Sequence, residues 1–254
     1  MTASIEPSNP AARILVVLET VKGIHGGTIR SAYTKALQIE NEDLGQLLKM
    51  LGMLSDQCDD VEVLLANVAN PTYSEKYRES QQGIKRCFEI ENIAGPWDTF
   101  QANFVRPELL MALTFCAIAL DERHRERTLP AEDLQKWLAN VTKLYDKAKK
   151  ADLDYELKTL ILNSLDRIRN AILDYRIRGI RAVREAIMET VGSVSENLDR
   201  KIAEEVKREN ADPESPKIVV EWVSFAADIA QIITLGMMLS PLFTQAVRSL
   251  LPGN

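Results

Sequence analysis

Few residues in this chain are of a type and spacing that could do chemistry. Its two histidines, His25 and His124, lie far apart in sequence. Asp121 stands one helical turn before His124, which is half of a di-iron carboxylate pattern, but such a bundle needs a second pair, and Lys22 precedes His25 at that spacing. No HExxH occurs, so neither a metal nor a cofactor is expected. Gly23-Ile24-His25-Gly26-Gly27-Thr28 is similar to a phosphate loop, because glycines ahead of a helix can aim backbone N–H groups at an anion. Its lysine is missing and no strand leads into it. Gly23 ending one helix and Thr28 capping the next account for the same residues. Cys58, Cys87 and Cys116 are odd in number and form no CxxC pair, so they read as reduced core residues of a cytoplasmic protein. No serine, cysteine or lysine sits in a nucleophile motif, and no catalytic residue is expected.

Two further groups are patterned. Arg167, Arg169, Arg176, Arg178, Arg181 and Arg184 form a dense basic cluster. On one continuous helix only Arg167, Arg178 and Arg181 share a face, and Arg181 to Glu185 has intrahelical ion-pair spacing, so the cluster reads as a solvated surface. Near the C-terminus Glu221, Ser224, Asp228 and Gln231 recur at spacings of 3, 4 and 3, making one polar stripe. Trp222, Val223, Ala226, Ile229, Ala230 and Ile233 lie opposite. A ring of such helices would line a lumen with the stripe and turn the Trp222 face to lipid, since two carboxylates on an apolar helix are costly unless they meet water or partners. A helix that buries the Trp222 face and exposes Glu221 and Asp228 satisfies the pattern equally well.

The elements that must position these residues are helical almost throughout. Leu134, Trp137, Leu138, Val141, Leu144, Tyr145 and Ala148 fall on one helical face, with Pro130 at its start. Leu44, Leu47, Leu48, Leu51 and Leu54 repeat the pattern, as do Val61, Leu64, Leu65 and Val68. Further helices are predicted near 11–22, 28–39, 72–90, 106–122, 152–176, 179–192 and 195–209, the last laced with ion-pair spacings over a Val194, Leu198, Ile202, Val206 stripe. Residues 92–103 read as a loop, and no segment alternates long enough for a strand. Leu109–Leu120 (LLMALTFCAIAL) is apolar on every side and too short to span a bilayer, so it is predicted as the central core helix. The 254 residues suffice for a real core. With 31 basic against 37 acidic residues, the net charge of -6 argues against general nucleic-acid binding.

Phe115 to Leu120 followed by Asp121-Glu122-Arg123-His124-Arg125, then Ala151-Asp152-Leu153-Asp154, then Ile168–Ile180 (IRNAILDYRIRGI), resemble a group of uncharacterised bacterial all-helical proteins over about residues 96–192. The resemblance implies a helical fold and brings no assigned activity. Members of that group often end in a hydrophobic segment.

The expected architecture is all-α: a multi-helix, bundle-like body over residues 1–209, stable by itself, a linker at 210–216 carrying Pro213 and Pro216, and a hydrophobic helical tail over 217–254. Residues 229–247 hold no formal charge, although Ser240-Pro241 divides them. The N-terminal residues lack a basic region, so no secretory signal is expected. The function expected is that of a non-enzymatic, self-associating effector acting at a membrane through the tail, as in bacterial toxicity or antiviral defence, cytoplasmic with peripheral or inserted contact at the inner membrane. The alternative is a cytosolic helical scaffold or regulatory subunit that binds a protein partner.

Overall fold

A computed structural model describes residues 7–68, 71–193 and 214–233. In chain order its helices are α1 (Pro10–Lys22), α2 (Ile29–Leu37), α3 (Leu44–Leu65), α4 (Pro71–Arg86), α5 (Trp97–Phe104), α6 (Pro107–His124), α7 (Ala131–Lys150), α8 (Tyr155–Leu173), α9 (Tyr175–Arg178), α10 (Ile180–Ser193) and α11 (Glu214–Ile233). No strand occurs among the described residues, so the fold there is all-α. Three expectations about helices change. The two leucine-patterned segments join in one helix, α3, which ends at Leu65 short of Val68, the expected loop 92–103 contains α5, and the expected helix 152–176 stops at Leu173, with α9 a separate short helix. The predicted helix 195–209 and residues 234–254 lie outside the described residues.

The described residues divide into two units, one of residues 7–128 plus Arg176–Gly179, the other of Leu129–Tyr175, 180–193 and 214–233. This differs from the expected division at 210–216, because α11 begins at Glu214 and belongs to the second unit.

In the first unit the central helix is α1, not α6. Asn9 caps α1 by accepting from the Ala12 N–H, and Pro10 supplies a first-turn residue that needs no N–H partner. Ala11, Ala12, Ile14, Leu15, Val17, Leu18 and Val21 are all buried, and α2, α3 and α6 pack around them. That leaves Arg13, in the same helix, with no route to water. Its guanidinium donates to both Glu126 carboxylate oxygens, to Gln57 Oε1 and to the Ile177 carbonyl. The last bond ties in Arg176–Gly179, which reaches the first unit with Ile177 fully buried. Gly179 turns the chain there at φ +64°, and a Cβ at that position would collide with Arg13 Nη1 and Glu126 Oε2.

The second unit is a four-helix arrangement. Helix α7 packs on α8, α8 on α10, α10 on α11, and α11 back on α7. Its core takes Trp137, Val141 and Leu144 from α7, Leu157, Ile161, Leu165 and Ile168 from α8, Val183 and Ile187 from α10, and Val219, Trp222 and Ile229 from α11. Without α11 the ring is open on one side.

Candidate functional site

The glycine loop, the thiols and the arginines that could do chemistry are each taken up by the fold. Thr28 caps α2 in a capping box with Ser31, and Gly23 closes α1. Gly26 and Gly27 take positive φ as a loop over helix α2 requires, yet the Gly26 N–H donates to Asp98 Oδ1 at 3.0 Å. A carboxylate of the chain thus stands at the amide that an anion would need. His25 is exposed, and no group of three metal-ligating side chains is assembled among the described residues. The three thiols are free and buried, and burial pushes each up to about 12. A nucleophile or redox sensor needs the opposite, an accessible thiol with a lowered pKa. The arginine cluster is dispersed: Arg167 pairs with Glu189, Arg181 with Glu185 at 3.7 Å, and exposed Arg176 donates to the Leu37 carbonyl.

The structure separates the two faces of α11 as the spacing implies. Trp222 is 1% exposed, and Val223, Ala226, Ile229, Ala230 and Ile233 are also buried, all within the second unit's core. Glu221, Asp228 and Gln231 are exposed and Ser224 is half-buried. Glu221 accepts from Lys147 Nζ of α7 at 2.7 Å, a solvent-exposed pair that contributes little stability. Burying each large apolar side chain of this face contributes about 1.5–3 kcal/mol. The face that lipid would need is therefore committed to α7 and α10. Among the described residues no single helix is long and apolar enough to cross a membrane; α5 and α6 reach that apolar length only together, across a 61° bend.

One surface was not legible as such. The all-round apolar α6 buries Leu109, Leu110, Leu113, Cys116, Ala117 and Leu120, but Met111 is 60% exposed, Phe115 49% and Ile118 54%. The expectation that Ile118 sits at the core is thus corrected, while Leu113 is fully buried. Met111, Phe115 and Ile118 continue a series whose end members are exposed Glu108 and Glu122, with spacings of 3, 4, 3 and 4. That is a heptad seam on a helix whose opposite side is core. Beside it, α4 and α6 enclose a groove of about 460 Å³ lined by Tyr73, Lys76, Glu79, Ser80, Met111 and Phe115. The signal available in the sequence was the pair of glutamates in register with the three apolar residues, at the ends of a helix otherwise free of carboxylates until Asp121.

No known protein family, curated protein or solved structure matches the chain, so the resemblance over residues 96–192 gains no support from outside the sequence.

Proposed function

We propose that this protein is a non-enzymatic helical scaffold or regulatory subunit whose first unit binds a protein partner along α6. The observation that supports this is the exposed Met111-Phe115-Ile118 seam on a helix whose other side is packed core. Leaving three large apolar side chains in register in water costs solubility and gains nothing for the unit's own stability, whereas a partner helix would bury them.

The competing proposal is membrane action through the C-terminal segment, which in its pore form turns the Trp222 face to lipid and so needs that face to leave the second unit's core. Placing a photo-crosslinking amino acid at Phe115 and, as a control, at exposed Asp228 distinguishes the two. Binding along α6 expects a discrete protein adduct in cells from position 115 and none from 228. Adducts between copies of the chain from 228, the lumen-lining position in that proposal, and none from 115 would overturn the reading.

A further inference from the structure

We propose that a cleft of about 530 Å³ in the first unit, between the C-terminal end of α4 and α5, binds a small zwitterion with an aromatic side chain, an amino acid or a dipeptide. The proposal is independent of the α6 surface. One face of α5 supplies the floor: Phe100 and Phe104 lie with ring centroids 4.7 Å apart, and Trp97 continues the row at 5.9 Å from Phe100. The turn after α4 supplies the facing wall, and backbone hydrogen bonds fix it. The Arg30 N–H donates to the Ile93 carbonyl at 2.9 Å, the Ile29 N–H to the Gly95 carbonyl at 3.0 Å, and the Trp97 N–H to the Gly27 carbonyl at 3.0 Å. The end of the glycine loop thus braces this wall. A cleft formed in advance binds a ligand without the cost of ordering its own walls.

The charges on the lining select the ligand. Arg86 at the end of α4 brings one guanidinium, and Glu89 and Glu91 bring two carboxylates. Among the described residues the side chains of Arg86, Glu91, Thr99 and Asn103 have no hydrogen-bond or ion-pair partner, while Glu89 accepts from Ser55 Oγ at 3.3 Å. The charges nearby are engaged elsewhere: Lys85 pairs with Asp59, Arg30 donates to the Glu42 carbonyl, Asp98 accepts from the Gly26 N–H, and Arg106 lies against Gly83 of α4. A plain anion would meet the two carboxylates, and a plain cation would meet the guanidinium. A zwitterion sets its carboxylate on Arg86 and its ammonium on Glu91, with Thr99 and Asn103 left for further N–H and C=O groups. Its ring extends the row of Phe100 and Phe104, where tilted and edge-to-face contacts are favourable.

The test titrates the full chain by calorimetry with phenylalanine, with its amide, which lacks the carboxylate, with phenylpropanoate, which lacks the ammonium, and with alanyl-phenylalanine. Phenylalanine should bind about tenfold more tightly than either single-charge analogue, because each analogue loses one charge-assisted contact. Arg86→Gln should bring phenylalanine down to the level of its amide, and Glu91→Gln should bring it down to that of phenylpropanoate. Thr99→Trp should fill the cleft and remove binding. All three positions are exposed, so circular dichroism should not change. Tighter binding of the dipeptide that depends on Arg86 and Glu91 supports the zwitterion with a peptide as its source. Equal binding of phenylalanine and its two analogues overturns the charge assignment. Binding that none of the three variants weakens, or no binding of any probe, overturns the site.

Discussion

Arg13 and Glu126, 113 positions apart in the chain, are joined by two hydrogen bonds, Nη1 to Oε2 at 2.8 Å and Nη2 to Oε1 at 3.2 Å. The guanidinium is 3% exposed, and its remaining donors reach Gln57 of α3 and the backbone of Ile177. One charged group thus joins α1, α3, the segment after α6 and Arg176–Gly179. A buried charge is tolerated only when its donors are satisfied together.

Arg13→Met keeps most of the volume and strands Glu126, Gln57 Oε1 and the Ile177 carbonyl. The expected loss is about 3–5 kcal/mol, with Glu126→Gln milder because the carboxylate is only partly buried. A two-unit chain need not melt in one step, so the measurement is hydrogen exchange of the α1 amides. Protection unchanged in Arg13→Met would show that the pair contributes no more than a surface contact.

Leu113 and Ile118 share α6 and should respond oppositely to the same change. Leu113→Asp places an unpaired charge in the core and should cost several kcal/mol, leaving the first unit unfolded. Ile118→Asp should alter stability by no more than about 0.5 kcal/mol. Expression, circular dichroism and urea midpoints of the two variants, side by side, decide whether α6 has a wet face.

Removing α11 should undo the second unit. A chain ending at Asp212 lacks Val219, Trp222 and Ile229, which fill the space between α7 and α10. Limited proteolysis should then cut within α7, α8 and α10 while α1–α6 stay protected. An intact, cooperatively melting second unit in the shortened chain would restore the division into a self-sufficient body and a tail.

The thiols give a pH signature. Their ordinary value is 9.0, and burial raises Cys58, Cys87 and Cys116 to about 12 in the folded chain. A raised folded-state pKa means that the stability tied to these groups is complete below pH 9. It is lost as pH climbs from 9 toward 12, because the unfolded chain ionises first. Buried Tyr33 and Tyr77, also raised by desolvation, steepen the decline at its alkaline end. Urea midpoints should fall over this interval, and replacing all three cysteines with alanine should flatten its lower part. Native thiols should also resist alkylation until denaturant is added.

Helix periodicity made most of the architecture readable, including the two faces of α11 from Glu221 to Ile233. What it could not supply was which apolar residues end up covered. The α6 sequence offers apolar side chains in every direction, so Met111 and Leu113 look equivalent until α1, α3 and α4 take their places on one side. The polar break Asp56-Gln57-Cys58-Asp59-Asp60 makes α3 look like two segments. In the fold Gln57 is buried because Arg13 needs its carbonyl oxygen, and Cys58 is core. Helix α5 is eight residues long with no side-chain cap, too little pattern to stand out from the loop before it. Nothing in the spacing of Arg176–Gly179 announces that Ile177 serves a different core from its neighbours in sequence.

That last segment bears on how the protein is made. The first unit's residues run to Thr128, but Ile177 and the turn at Gly179 are synthesised only after α7 and α8. At roughly 5–20 residues per second, several seconds pass in which Arg13 has emerged without the carbonyl that completes its shell. A nascent chain paused before Arg176 therefore holds an N-terminal half that cannot yet close around its own charge, a natural target for chaperone binding. Genetic fragments ending at Thr128 would inherit the same defect permanently.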